Sequence, residues 1–541
     1  MQRMPNAADT LPNDIDELKS LVQSLQHENA EQGQRLEQSE QFIHQLLEQI
    51  KLSRHQHFGS RSERYSLDQM QLAFNEAEAA AAAAAASGDA ADDGASAGEY
   101  DHGQTVASYQ RRKSGRRPLP DALPRVEVVH ELDSVACACN TCQAQLEVIG
   151  QKVSEQLDLI PAQVRVLRNV RLTYGCPSCE GKIKTAPRPA QPIPKSNASP
   201  GTLAYVAISK YADGLPLYRQ EQQLKRIGVD LPRSTLASWM VKAGALAQPV
   251  INLMRERMLA FPVLAMDETR MQVLKEPGRR PQSQSYLWVQ RGGPPNETIL
   301  LYDYDPSRSQ EVPKRLLGDY RGYLQTDGYS GYDAVCAQNG ITQLGCWAHA
   351  RRKFDEARKV QPKPRGKAKN KRSLADQAMQ RIQLLYRIER KAKNLSDDER
   401  LALRQAQAKP ALDALHEWLE QHLPLVPPQS ALGKAMGYLH KQWDKLIVYV
   451  TDGRLRMDNN LVENAIRPFV IGRKNHLFCD SVAGANASAN LYSLIETAKA
   501  NGIEPYAYLK RLFTELPQAS TVEDIEALLP IKSIDVQREA A

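Results

Sequence analysis

No apolar run in the 541-residue sequence approaches the ~18 residues that a membrane-crossing helix requires. The first twenty residues, MQRMPNAADTLPNDIDELKS, contain no hydrophobic signal core. These absences exclude helical membrane proteins and secreted proteins, so a cytoplasmic location is expected. Cysteine is scarce, at eight residues, and in that compartment structural disulfides are not expected. Cysteines that nevertheless come in pairs need another explanation. Excess charge of one sign is small: 70 Lys and Arg face 63 Asp and Glu, for a net charge of +7. With 42% hydrophobic and 25% charged residues, the chain is globular in composition, and its length suggests three or four domains at ~150 residues each.

The small net charge hides local runs. Residues 351–373 hold eleven Lys or Arg against two acids, and YQRRKSGRRP at 109–118 is a second basic run. Either run alone is compatible with a solvated loop, and both suit a polyanion such as nucleic acid. Residues 15–52 carry a heptad. Its a series is Ile15, Val22, Asn29, Leu36, Ile43 and Ile50, and its d series is Leu18, Leu25, Gln32, Ser39 and Leu46. Branched residues at a, leucine at d and one asparagine at a favour a parallel two-stranded coiled coil, so residues 1–52 are read as a homodimerisation segment. The Ala run at 79–86 and the Gly/Ala/Asp tract that follows cannot bury enough apolar surface to offset ordering entropy. Residues 53–118 are therefore read as a linker.

Cysteines appear as Cys139-x-x-Cys142 and Cys176-x-x-Cys179, separated by the strand-like QVRVLRNVRLTYG. Each doublet lets one turn present two thiolates, and two doublets complete the tetrahedral shell of a structural Zn²⁺. Residues 119–195 are read as this zinc module, with Cys137 as a fifth thiol able to compete for the first turn. In residues 196–256, the break at Ile227-Gly228-Val229 before Pro232 resembles a helix-turn-helix. A second helix at about Pro232–Lys242 would present Arg233, Ser234 and Thr235 to a DNA groove. A purely structural helical hairpin is the competing reading.

From residue 257 to 500 the pattern becomes α/β: three strands, a helix, a strand, a helix and a strand, then a long helical block at about 355–450. That order is the one expected of a ribonuclease H-like core carrying a helical insertion. Residues 501–541 are read as a small C-terminal domain. Phosphodiester transfer needs divalent ions held by hard oxygen ligands, for which three carboxylates suffice. Asp267 sits in the apolar run VLAMDETRM, Asp327 follows an apolar strand and precedes a glycine, and Glu463 lies in MDNNLVENAIRP, four residues before Arg467. Arg467, Arg473 and Lys474 are read as phosphate contacts, as are Arg351, Arg352 and Lys353. Spacing alone leaves Glu268, Asp303, Asp305, Asp333 and Asp458 as competing acids, and His349 is read either as lying near the phosphates or as only packing, with packing preferred.

MDET, TDGYSGYDAV, GCWAHARRKFDEA and DNNLVENAIRPFVIGRKNHLF resemble the motif blocks of bacterial transposases of the insertion sequence 66 family. The resemblance extends to FGSRSER, the cysteine block, PLYRQEQQLKRIGV and ANGIEPYAYLKRLF, in order along nearly the whole chain. One departure is Gln143, where members usually have glycine. The resemblance implies a DDE triad of Asp267, Asp327 and Glu463. It also implies Mg²⁺ as two ions, replaceable by Mn²⁺, a structural Zn²⁺, and partners that include element-end and target DNA and accessory proteins of the same element. The resulting expectation is a nucleoid-associated enzyme that cuts and joins the ends of its own element. A DNA-binding regulator with an inert core and a metal-dependent nuclease without joining activity are the rival readings.

Overall fold

A computed structural model describes residues 14, 16, 19–20, 22–33, 43, 47, 50, 164–174, 184–187, 189–360 and 373–531. Residues 22–33 are helical, and heptad positions Val22, Leu25, Asn29, Ile43 and Ile50 are all exposed in the single chain. The other apolar heptad positions, the linker and all four paired cysteines lie outside the described residues. The flanks of the second cysteine pair are described: β1 (Thr173–Tyr174) pairs antiparallel with β2 (Lys184–Thr185), and Cys176 and Cys179 fall between them in sequence. This hairpin and the residues from 189 onward belong to two separate compact units.

The larger unit opens with four helices: α1 (Pro200–Tyr211), α2 (Leu217–Arg226), α3 (Arg233–Leu246) and α4 (Gln248–Leu259). Ser199 caps α1 by accepting from the Thr202 amide, and Pro200 follows at its first position. The expected second helix of the turn motif is α3, with Pro232 as its cap.

A mixed sheet follows, built from β3 (Val263–Lys275), β4 (Gln284–Gly292), β5 (Ile299–Asp305), β6 (Tyr323–Gln325), β7 (Thr342–Leu344) and β8 (Cys479–Ser481). Its order is β5-β4-β3-β6-β7. The first three strands in sequence are antiparallel, and β3-β6 and β6-β7 are parallel. Two short helices, α5 (Glu311–Leu317) and α6 (Asp333–Asn339), make the crossovers before β6 and β7.

β3 organises the sheet because one of its edges is shared. β6 covers only its start, Val263–Ala265, and β8 only its end, at Val273 and Lys275. Between them the edge of β3 has no strand beside it, and its backbone needs other partners. Side chains from α13, introduced below, supply them.

The helical insertion runs through α7 (Trp347–Val360), α8 (Leu374–Lys391), α9 (Asp397–Leu403), a π-helical turn at Arg404–Ala408, α10 (Lys409–His422), α11 (Ala431–Lys441) and α12 (Trp443–Leu446). It begins earlier than the expected residue 355. It has its own apolar core, including Trp347, Phe354, Ile382, Leu415 and Leu439. Its two ends are tied together: the Trp347 amide donates to the Met457 carbonyl at 3.0 Å, and Trp347 Nε1 donates to Leu446 O at 2.9 Å. Arg404, 1% exposed, pairs with Glu389 through two bonds of 2.9 and 2.7 Å. It also donates to the Tyr449, Asp452 and Leu455 carbonyls at 2.9 Å, fixing the segment that leads back to the sheet.

The chain closes with α13 (Asn460–His476), α14 (Val482–Ala500), α15 (Pro505–Glu515) and α16 (Val522–Glu526). α14 carries Ser493, Thr497 and, just past its end, Asn501 at four-residue spacing, which places them in one row. They accept from the β5-side amides of Tyr302 at 2.8 Å, Leu300 at 3.0 Å and Thr298 at 3.0 Å, closing the sheet edge. α14 approaches α3 so closely that a Cβ on Gly244 would lie 2.6 Å from Ala487. A single apolar core runs from Ile193 through the sheet to Leu529, so the helices before the sheet and the C-terminal residues share the core of the α/β body.

Replacing Arg404 with alanine leaves Glu389 buried and unpaired, and is expected to cost about 3–5 kcal/mol. Urea denaturation of the two proteins measures the loss.

Candidate active site and the family of the chain

The parallel register of β3 and β6 sets Ala265 beside Gln325. Two residues further along each strand direction come Asp267 and Asp327, delivered to the same level where β6 has ended. The Asp327 turn is held by its own carboxylate, which accepts from the Tyr329 amide at 2.8 Å, while Tyr438 Oη donates to the Asp327 carbonyl at 3.0 Å. Gly328 follows at φ +92°, a conformation that favours glycine.

Glu463 arrives from the other direction, in the first turn of α13. Asn459 positions that turn: its backbone N–H donates to Cys346 Sγ at 3.2 Å, and its Nδ2 donates to the Met266 carbonyl in the uncovered edge of β3 at 3.2 Å. Arg473, near the other end of α13, donates to the Arg270 carbonyl in that same gap. The helix is thus stapled along β3 at two points.

Electrostatics report the convergence. Burial, together with the charges of Glu268, Asp327 and Glu463, holds the Asp267 carboxyl well above the usual carboxylate range, against the opposing effect of the Glu268 amide. Mutual influence of this kind requires the acids to share one poorly solvated space. His349, read from sequence as packing, is half-buried on α7 with Nδ1 3.6 Å from Glu463 Oε1. Arg352 Nη2 lies 3.7 Å from the other Glu463 oxygen. Burial lowers the His349 pKa, partly offset by Glu463, so its neutral form is favoured.

The competing acids separate on their partners. Glu268 is held by Arg308, with Nε at 2.6 Å, and by Tyr332 Oη at 2.8 Å. Asp303 takes Arg255 at 2.6 Å, Asp305 takes Arg315 at 2.9 Å and Asp333 takes Lys445 at 2.7 Å. Among the described residues, Asp267 accepts only the Glu268 amide, at 2.8 Å. Asp458 is buried beneath α13 with Tyr386 Oη at 3.4 Å, and its carboxyl is pushed up to about 7, chiefly by burial, which outweighs the Asn460 amide.

The basic residues divide as well. Arg467 and Lys474 are exposed, and Arg351, Arg352 and Lys353 are half-buried, with Lys353 Nζ 4.8 Å over the Tyr438 ring. Arg473 is committed to β3 and packs over Phe469. Arg233 and Ser234 are exposed at the start of α3, and Thr235 is half-buried. Sequence reasoning missed Asn459, Cys346 and Arg308. The spacing Cys346-x-x-His349 held a signal for one of them: it fits a helix cap and its third residue, whose amide donates to the sulfur.

A family model described as "Transposase IS66 family" matches residues 195–487. The chain belongs to the IS66 transposase family. Further IS66 models match other segments: a zinc-finger binding domain at 136–180, "Transposase C of IS166 homeodomain", a leucine-zipper model, at 45–128, and the IS66 C-terminal element at 493–531. Uncharacterized protein y4jD of Sinorhizobium fredii (strain NBRC 101917 / NGR234) is 34% identical over 447 residues, covering 78% of this chain and 83% of the relative. Uncharacterized protein y4qI of the same strain is 30% identical over 550 residues, covering 96% and 97%. IS66 membership supports a transposase role, use of divalent metal, zinc binding and DNA as partner. Among the described residues, no helix is long and apolar enough to cross a membrane.

Asp458 gives a pH prediction for this IS66 chain. A carboxyl raised from its ordinary value of 3.8 to about 7 binds its proton more tightly folded than unfolded. Its contribution to stability is therefore present at low pH and is lost as pH rises from about 4 to about 7. Asp458→Asn is expected to be more stable than wild type at pH 8, by on the order of a few kcal/mol, with the difference shrinking toward pH 4. Urea midpoints at the two pH values test this.

Proposed function

We propose that this protein is a DDE transposase that binds the ends of its insertion element, cuts a strand at each end and joins the freed 3′-hydroxyl to target DNA. The supporting observation is the electrostatic coupling of the half-buried Asp267 with Asp327 and Glu463, while Asp303, Asp305 and Asp333 are matched by cations elsewhere. The reading includes a ribonuclease H-like core, for which the strand order β5-β4-β3-β6-β7 with three antiparallel strands first is the supporting topology.

Asp267, Asp327 and Glu463 would hold two Mg²⁺ ions, replaceable by Mn²⁺. The residues fit such ions: Asp267 is crowded by the charges of Glu268, Asp327 and Glu463, and Glu463 Oε1 is buried without a hydrogen-bond partner among the described residues. Bound divalent ions supply activation of the attacking oxygen and neutralisation of the leaving one. In the first step water attacks a phosphodiester, breaking the bond to the 3′-oxygen, which leaves as a hydroxyl. In the second, that hydroxyl attacks a target phosphodiester, so one ester bond forms as another breaks. No Ser or Tyr of the protein joins the DNA covalently. Arg467, Lys474, Arg351, Arg352 and Lys353 would line the phosphate path, with Arg352 also orienting Glu463. Arg473 would contribute by holding α13 on β3. Arg233, Ser234 and Thr235, the four-cysteine zinc module (Cys139, Cys142, Cys176, Cys179) and the basic runs would bind the element ends. The N-terminal coil would pair two protomers, bringing two ends together.

Asp267→Asn is expected to reduce Mg²⁺-dependent transfer of a labelled element end to background. Equal transfer by the variant would remove Asp267 from the triad, and hydrolysis without joining by the wild type would favour the nuclease reading. Mg²⁺ at ~100 times its Kd should stabilise the wild type by about 2.7 kcal/mol and the variant by much less, read as a thermal shift. For the zinc module, a Cys176→Ser/Cys179→Ser variant should lose bound zinc by elemental analysis, and undiminished zinc would refute the site.

A further inference from the structure

Glu463 faces groups that none of the preceding steps uses. Its Oε1 and the Nδ1 of His349 are both buried, both lack a hydrogen-bond partner, and stand 3.6 Å apart. That separation is too long for a hydrogen bond, so neither atom is committed to the other. Leaving a buried polar pair unsatisfied is costly, and a bound ion is one partner that would satisfy both atoms at once. Two donors bound to one cation at ~2.1 Å each stand ~3.0–3.4 Å apart, so a shift of a few tenths of an ångström would seat an ion between them.

Cys346 completes a geometrically compact trio with them, all three ligand atoms lying within 4.8 Å of one another. Its sulfur is already occupied. It accepts from the Asn459 amide at 3.2 Å and from the His349 amide as the cap of α7. Cys346 therefore fixes the backbone from which His349 projects, and as a soft sulfur whose thiol burial keeps protonated it is a poor ligand for a hard divalent ion.

We propose that His349 is a ligand, through Nδ1, of the same divalent ion that Glu463 binds. The proposal rests on Glu463 being a metal-holding carboxylate of the active site and adds a nitrogen to an otherwise all-oxygen shell. Imidazole suits transition ions better than Mg²⁺, so a mixed shell shifts preference toward Mn²⁺. His349 is in this way a determinant of metal choice.

The test uses the full-length protein with Mn²⁺ alone, without DNA, and pulsed electron paramagnetic resonance of the bound ion. The expected result is an imidazole ¹⁴N coupling in the wild type that disappears in His349→Gln, with Mn²⁺ affinity falling about 10-fold or more. His349→Asp, which restores an oxygen donor, should keep bound Mn²⁺ without the ¹⁴N coupling and should narrow the Mn²⁺ over Mg²⁺ preference. Retention of bound metal in this second variant also shows that the fold survives. Bound Mn²⁺ without ¹⁴N coupling in the wild type, or coupling that persists in His349→Gln, overturns the role of His349 and leaves the carboxylate site standing. Absence of any site-bound Mn²⁺ in the wild type, judged against Asp267→Asn, overturns both.

Discussion

Everything in the α/β half of this chain depends on an interruption in the edge of one strand. β3 is long enough to need two parallel neighbours, β6 at its start and β8 at its end, and they leave a gap between them. Asn459 occupies one end of that gap and Arg473 the other. Asn459 also donates its backbone N–H to Cys346, so one residue joins the strand bearing Asp267, the helix bearing His349 and the helix bearing Glu463. Remove that junction and the three acids belong to unrelated elements. The junction explains why two consecutive asparagines stand at the start of α13: Asn460 begins the helix, while Asn459 before it bonds to the sheet.

The same junction determines where electrostatic cost collects. Elsewhere the fold matches its buried charges, as with Arg404 and Glu389, which are fully engaged. At the site Asp267 is surrounded by like charges and by burial, and the nearest cations, Arg308 and Arg352, serve Glu268 and Glu463. Carboxylates left in this condition are a reservoir of unfavourable energy that a cation relieves, and such perturbed groups collect at functional sites. Asp458 adds to the same pocket from below.

Much of this was legible in the sequence because the α/β region obeys its own periodicity. Short apolar runs ended at Asp-Gly or Gly-rich turns, which gave the strand sequence and placed Asp327 at a strand tip. What spacing could not supply was partnership. Glu268, Asp303, Asp305 and Asp333 looked equivalent to Asp267 until their arginines and lysine were placed, and those partners come from 10 to 112 residues away. Arg473 read as a phosphate contact because its carbonyl partner, Arg270, is 203 residues distant. His349 read as packing because nothing local reveals that α7 and α13 face each other. The insertion was visible as a helical block, but its true start at Trp347 was hidden, since CWAHARR carries the charge pattern of a surface run.

The row of Ser493, Thr497 and Asn501 has an implication for assembly. These side chains consume the outward N–H groups of β5, which would otherwise form a ready template for another chain to extend the sheet. A helix has been used as a selvedge, so the fabric cannot be sewn to a second copy along that margin. Any union of protomers is thereby diverted away from the β5 margin of the sheet that carries the acids.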